Sequence, residues 1–232
     1  MIYDCFMFFN ELDLLEIRLE ETFDIVDRFV ISESLYTHSG NSKPLLFEIN
    51  KERYKKYLDK IIYVVYNENP NSNPWYNENN QRRSLGNGID QLVLNDNDII
   101  IVSDLDEIIN RKTLSLIISS IDNINLPLTL CHTMYTGKIN YKIIDPAWCQ
   151  NWRGACIING KLFRESKYDL HFFRHHKNDF EYLENINNWH FTSVGDEQNI
   201  KDKFCSYAHI EDNIPNNLEN LKNRLLYVQD PI

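Results

Sequence analysis

One segment restricts this chain more than any other: Asp98-Ile-Ile-Ile-Val-Ser-Asp-Leu-Asp-Glu-Ile108. Four consecutive branched apolar residues, Ile99 to Val102, fit a strand covered on both faces, as in a parallel sheet packed between helices. The strand then stops in Asp104, Asp106 and Glu107, three acids within four positions. Ligands of open α/β sheets bind beyond the carboxyl ends of strands. Carboxylates gathered there repel one another unless a cation lies among them, and their oxygens suit hard divalent ions such as Mg²⁺ or Mn²⁺, which also bridge diphosphates. The plainer alternative is a capped helix, with Asp104 as N-cap and Glu107 at the third position. The place of the acids, behind a buried strand near mid-chain, favours the metal.

The surrounding pattern agrees with an α/β chain. Ile2–Phe9, Phe29–Ser32 and Ile61–Tyr66 are short apolar runs with polar borders, as buried strands are. Between them Leu12, Leu15, Ile17 and Leu19 recur at near-helical spacing, as do Leu85, Ile89, Leu92 and Leu94 behind the helix-starting Asn73-Pro74. Further on, Leu128–Tyr135 and Ile139–Ile144 read as strands, residues 145–184 as aromatic, basic and irregular, and Glu197–Ala208 and Leu218–Val228 as helices. Alternating strands and helices predict a largely parallel sheet flanked by helices. No repeat or linker divides the 232 residues, enough for one larger domain.

Charge and cysteines narrow the function. A net charge of −10 argues against nucleic acid or an anionic membrane as partner. No apolar run approaches the ~20 residues of a membrane span, and Met1–Phe9, broken by Asp4, lacks the features of a signal peptide. Five irregularly spaced cysteines without a CxxC point to reduced thiols, hence to a cytoplasmic protein.

A set of ordered motifs then becomes specific. Tyr3-Asp4-Cys5-Phe6 leads into Asn10-Glu11-Leu12-Asp13-Leu14-Leu15-Glu16-Ile17-Arg18. Val26-Asp27, Phe29-Val30-Ile31, Glu33-Ser34, Thr37, Gly40 and Lys43-Pro44-Leu45 follow, then Gln81-Arg82, Gly88, Ile100–Ile108 and Trp189-His190-Phe191. In these the chain resembles glycosyltransferase family 17, densely over the first hundred residues and thinly between residues 145 and 184. The resemblance implies a single GT-A-type, Rossmann-like domain, with residues 1–106 as the nucleotide-binding half and 107–232 as the half that binds acceptor and completes the metal shell. It also implies a UDP-sugar donor, a glycan acceptor, transfer with inversion to a β-linkage, and a divalent metal, Mn²⁺ or Mg²⁺, at Asp104 and Asp106.

Other residues are read beside that resemblance. Glu33 and Ser34 follow an apolar strand, where a carboxylate accepts bonds from a ribose hydroxyl or a uracil N–H; a turn or helix cap is the equal alternative. Arg82 and Arg83 lie in a helical region, and a guanidinium binds diphosphate oxygens in bidentate fashion; the resemblance favours Arg82. A lone histidine in an aromatic strand is usually a core residue, but the resemblance makes His190 the third metal ligand, with His209 as competitor. The family has two glycines before the Trp, where this chain has Asn187 and Asn188. His175-His176 beside Arg174 reads as strand, with neighbouring side chains on opposite faces and a surface role.

Inversion needs a carboxylate to take the acceptor proton. Glu197 is the first choice, although the family's Glu position holds Gln198 here; Asp145, Asp196 and Glu211 stay open. A Mg²⁺-dependent nucleotidyltransferase or phosphohydrolase would normally add a glycine-rich phosphate loop, and the seven glycines form none. A carbohydrate-binding module would account for 13 Tyr, 12 Phe and 4 Trp, but not for acids beyond a buried strand.

Overall fold

A computed structural model of the chain describes residues 1–90, 92–143, 152–184 and 186–208. Its centre is a mixed sheet. Four strands, β1 (Ile2–Phe8), β2 (Arg28–Ser34), β3 (Ile61–Tyr66) and β4 (Ile99–Asp104), lie parallel in the order β3-β2-β1-β4. Beyond β4 come β7 (Trp152–Asn159), antiparallel to it, then β6 (Leu128–Gly137), β9 (Trp189–Val194) and the two-residue β5 (Glu107–Ile108). A short β8 (Glu181–Leu183) pairs with β6. The expected α/β class and the single mixed, largely parallel sheet are therefore present.

Side-chain alternation sends the strands' apolar residues to two cores. Phe6, Phe8, Phe29, Ile31, Ile99 and Ile101 meet helices α1 (Leu12–Thr22) and α4 (Arg111–Ser119) on one face. Tyr3, Cys5, Val30, Ile100 and Val102 meet α3 (Pro74–Asp90), α5 (Gly160–Glu165) and α6 (Leu170–His175) on the other. The short α2 (Leu46–Ile49) adds Phe47 to the first core, and α7 (Glu197–Ser206) stands beyond β9. The four branched residues of β4 are thus split between both cores, each worth roughly 1.5–3 kcal/mol of burial.

Helix α3 lies against the sheet without a spacer. A Cβ on Gly88 would come within 2.6 Å of Val30 Cγ1 and 2.9 Å of Val64 Cγ2. That close approach carries Gln81 and Arg82, two turns earlier, to the carboxyl ends of β2 and β4, where Gln81 Nε2 donates to the Ser32 carbonyl at 3.0 Å. Asp104 does not cap a helix: β4 continues through it, and the turn at Leu105-Asp106 leads into β5.

Elsewhere the structure departs from the pattern. Ile139–Ile144 is not a strand; the chain turns at residues 138–140 and only Lys142 bridges to Tyr135, while Ile144 lies outside the described residues. Residues 152–184 are ordered into β7, α5, α6 and β8. β7 escapes a local reading because its apolar stretch, Ala155–Ile158, is short and framed by Gly154 and Gly160; its stability comes from filling the gap between β4 and β6. His175 ends a helix instead of sitting in a strand, and α3 stops at Asp90, short of Leu92 and Leu94. The expected helix at Leu218–Val228 lies outside the described residues. Among the described residues no helix is long and apolar enough to cross a membrane.

Candidate active site

The turn that follows β4 is fixed from below by one arginine. Arg18, buried on α1, pairs through Nε and Nη2 with both oxygens of Asp4 on β1, at 2.9 and 2.5 Å. Its Nη1 donates to the carbonyls of Asp104, Leu105 and Glu107 at 2.7, 3.2 and 3.1 Å, and Nη2 to Ser103 Oγ at 2.6 Å. The guanidinium therefore orients the backbone of the acidic turn while its own charge is met by Asp4. Loss of one partner of such a buried pair costs about 3–5 kcal/mol.

Above the turn, the acids face cations. Asp104 accepts from Arg82 Nη1 at 2.7 Å on one oxygen and from Arg174 Nη2 at 2.5 Å on the other. Arg82 also reaches Glu78 Oε1 at 2.8 Å. Glu107 is fully buried; it accepts from Arg174 at 2.7 Å, Trp152 Nε1 at 2.7 Å and the Asp104 amide at 3.0 Å. Asp106 Oδ2 pairs with Lys203 Nζ at 2.8 Å, and its Oδ1 lies 3.6 Å from His190 Nε2. The pairing of β5 with β9 sets Glu107 opposite His190, and the His190 ring stacks on Trp152, centroids 4.8 Å apart. Lys177 Nζ sits 4.4 Å from the Trp152 ring centre.

Except for the buried Glu107, these groups line one cavity of about 700 Å³. Arg82, Asp104, Asp106 and His190, all singled out from the sequence, are in its wall, joined by Arg174, Lys177 and Lys203. Among the described residues its acidic side chains are Glu11, Glu78, Asp104 and Asp106. Trp75, Glu78, Asn79 and Arg82 follow helical spacing, so one stripe of α3 faces the space.

Glu33, Ser34 and Glu197 do not line it. Glu33 is fully buried and accepts from Lys43 Nζ at 2.9 Å, Tyr63 OH at 2.7 Å, and the Leu46 and Phe47 amides at 2.6 and 3.0 Å. Ser34 Oγ accepts from the Tyr36 amide at 3.0 Å. Both act behind the wall, fixing Lys43 and the Tyr36–His38 turn that do line it. Glu197 is exposed in the first turn of α7. Asp196 caps that helix by accepting from the Asn199 amide at 2.8 Å. His209, Asp145 and Glu211 lie outside the described residues.

The electrostatics follow from this packing. Burial alone would raise the Asp104 carboxyl, but Arg174 and then Arg82 hold it well below the usual range. Burial opposes ionisation of Glu107 too, and Arg174 overrides it, leaving Glu107 at about 2. Burial lowers the His190 imidazole below its ordinary value despite the nearby Asp106. Burial, then Arg174, brings Lys177 down to about 8. Lys203 goes the other way: burial would lower it, but Asp106 and then Glu11 raise it above the usual lysine range.

A divalent ion would find few protein ligands in this wall. Among the described residues no three acidic, imidazole or thiolate side chains converge into a ready cage. Asp106 and His190 offer one carboxylate and one neutral imidazole on the cavity wall, and His190 Nδ1 is buried without a hydrogen-bond partner among the described residues. A hard ion needs only one or two protein ligands where substrate phosphates and water complete its shell.

Arg174, Lys177, Lys203 and Glu11 were not singled out as site residues from the sequence. Glu11 had a local signal, an acid just past the end of a buried strand; the three cations had none, because the tertiary placement of α6, its following turn and α7 brings them in.

Comparisons with known proteins give the chain its family. The profile of glycosyltransferase family 17 matches residues 1–223. The β-1,4-mannosyl-glycoprotein 4-β-N-acetylglucosaminyltransferases of Homo sapiens and Rattus norvegicus are each 32% identical to this chain over 106 residues, 43% of this chain and 20% of theirs. The aligned part thus spans about a fifth of the length of those relatives. Among solved structures, the 4-diphosphocytidyl-2C-methyl-D-erythritol synthase of Anaerococcus prevotii DSM 20548 aligns with 98% of this chain and 94% of its own, at a TM-score of 0.41 and 13% identity. With a family profile matched from Met1 to residue 223, this chain belongs to glycosyltransferase family 17.

Proposed function

We propose that the chain is an inverting, metal-dependent glycosyltransferase that moves a sugar from a UDP-sugar to a hydroxyl of a glycan acceptor, forming a β-linkage. The activity for which the human and rat relatives are named makes N-acetylglucosamine the first sugar to test. The observation that carries the reading is the meeting of Asp104 and Asp106 with Arg82, Arg174, Lys177 and Lys203 around one cavity at the end of β4. Such a surface suits a ligand that combines a diphosphate with a cation. The reduced cysteines expected from the sequence favour a cytoplasmic setting for this activity.

In this reading Asp106 and His190 hold the Mn²⁺ or Mg²⁺, with Asp104 beside them in contact with the donor. The bound ion supplies neutralisation of the charge that builds on the leaving diphosphate. Arg82 and Arg174 contribute to the same end, since guanidinium groups bind phosphate oxygens in bidentate fashion and are already fixed in the wall. Lys43 and the Tyr36–His38 turn, supported by Glu33 and Ser34, shape the nucleoside side.

The acceptor proton needs a carboxylate inside the cavity. Asp104 has both oxygens on arginines, Glu78 is paired with Arg82, and Asp106 with Lys203. Among the described residues, Glu11 is the cavity carboxylate outside every ion pair; it accepts from the Asn10 amide at 3.1 Å. We assign the base to Glu11, with Glu197 as the alternative. The test of the overall reading is a screen of UDP-sugar turnover with and without Mn²⁺. Mn²⁺-stimulated release of UDP supports it, and no turnover of any UDP-sugar by folded protein counts against it.

A further inference from the structure

The pair between Lys203 and Asp106 stands where the proposed metal would bind, and the helix that carries Lys203 is built differently from the others. On α7, Ile200 and Phe204 form, with Tyr207, a small apolar cluster separate from both main cores. Lys203 lies on the same face at helical spacing and reaches into the cavity, where Ser206 and Tyr207 also line the wall. The far end of the helix is tied to the turn after β2: the Ser39 amide donates to the Ser206 carbonyl at 3.2 Å and Ser39 Oγ to the Cys205 carbonyl at 2.9 Å. The helix therefore runs from β9 to the β2 side across one edge of the cavity, and Lys203 fastens it to Asp106.

Asp106 is buried, and a buried carboxylate without a countercharge is strongly unfavourable. In the absence of a metal the ammonium of Lys203 supplies that charge. A divalent ion and an ammonium cannot share one carboxylate comfortably. Two like charges at such close range repel strongly near a protein surface, and a divalent ion doubles that repulsion. The residue type matters too: an ammonium is a compact charge on a flexible four-carbon stem and can let go, whereas the two arginines on Asp104 are held in planar forks.

We propose that Lys203 is a built-in stand-in for the divalent cation at Asp106, so that the metal binds by displacing it and α7 loosens from that edge of the cavity. The proposal rests on the metal reading of Asp106 and His190 given above. Its consequence is that the free protein binds the ion weakly, and that a diphosphate promotes the exchange by giving the displaced lysine new oxygens within the same cavity.

The test is Mn²⁺ titration by calorimetry, without nucleotide, of wild type, Lys203→Met and Lys203→Arg. Removing the competitor should tighten Mn²⁺ binding about tenfold, the worth of one charge-assisted hydrogen bond, whereas Lys203→Arg, a cation that releases less readily, should bind Mn²⁺ more weakly than wild type. Should Lys203→Met fail to fold, amide hydrogen exchange of wild type gives the answer: Mn²⁺ should speed exchange in 197–206, and unchanged exchange overturns the proposal. Equal Mn²⁺ affinity in wild type and Lys203→Met overturns the displacement and leaves the metal reading standing. No Mn²⁺ binding by either protein overturns both.

Discussion

Arg174 donates from Nη2 to Asp104 at 2.5 Å, and the same nitrogen reaches Glu107 at 2.7 Å. A residue on α6 thus connects the acid at the end of β4 with the one that opens β5, closing the turn that Arg18 holds from beneath.

Arg174→Met should leave Glu107 ionised and buried with one neutral donor and one amide as partners. Breaking such a pair costs about 3–5 kcal/mol, read as a drop in unfolding free energy by urea titration. Arg174→Lys should recover part of the stability, because the charge is kept, but not the donor affinity, because the fork is lost.

The acid limb of stability should depend on Glu107. Its carboxyl titrates at about 2 when folded against an ordinary 4.5. Being depressed, it contributes stability that is fully present above ~4.5 and is lost as pH falls from there through about 2. The loss is on the order of 3 kcal/mol. Urea titrations between pH 6 and 3 should show a steep decline in wild type and a shallower one in Glu107→Gln, from a lower starting point. Parallel pH profiles for the two proteins would show that Glu107 is not the group responsible.

Lys177 predicts a basic limb in ligand binding. Its ammonium titrates near 8 in the free cavity, and a bound diphosphate draws its pKa back up. UDP binding then requires the proton, so affinity should fall as pH rises through about 8, by up to tenfold per unit. Calorimetry in buffers of different ionisation heat should detect proton uptake there, and Lys177→Met should bind more weakly at pH 7 with a flat profile. Proton release on binding, or a wild-type pH slope in the variant, would contradict this role.

Two carboxylates compete for the catalytic base, and kinetics separates them. Glu11→Gln should lower kcat by about 10²–10⁴, the usual worth of general base catalysis, with donor KM little changed. Glu197→Gln, exposed and outside the cavity wall, should keep kcat within about twofold. The reverse pattern would return the base to Glu197.

How far the sequence reveals this arrangement depends on how local each cause is. β1 to β4 and the acidic turn are legible because the run of Ile99–Val102 and the acids after it fall within ten residues, and strand and turn impose their periods directly. Arg82 is legible as a helical residue suited to phosphate oxygens, but its pairing with Asp104 follows from Gly88, where the missing side chain lets α3 settle onto Val30 and Val64. Glu33 looks from its neighbours like a nucleoside contact; donors at Lys43, Leu46, Phe47 and Tyr63 engage it instead, and nothing in Glu33-Ser34 itself announces them. Arg174 sits among aromatic and basic residues that read as surface. It becomes interior once α6 docks against β4 and β7, a packing that has no period within the sequence.

The most direct test of the account is the product itself. UDP-GlcNAc, in which the sugar is α-linked, is incubated with the protein, Mn²⁺ and a panel of glycan acceptors, and the product is read by proton NMR at the new anomeric centre. The account predicts UDP release together with a β-linked sugar, lost on chelation of the metal and in Asp106→Ala with the fold kept. An α-linked product, or full activity of the chelated enzyme or of Asp106→Ala, would contradict it.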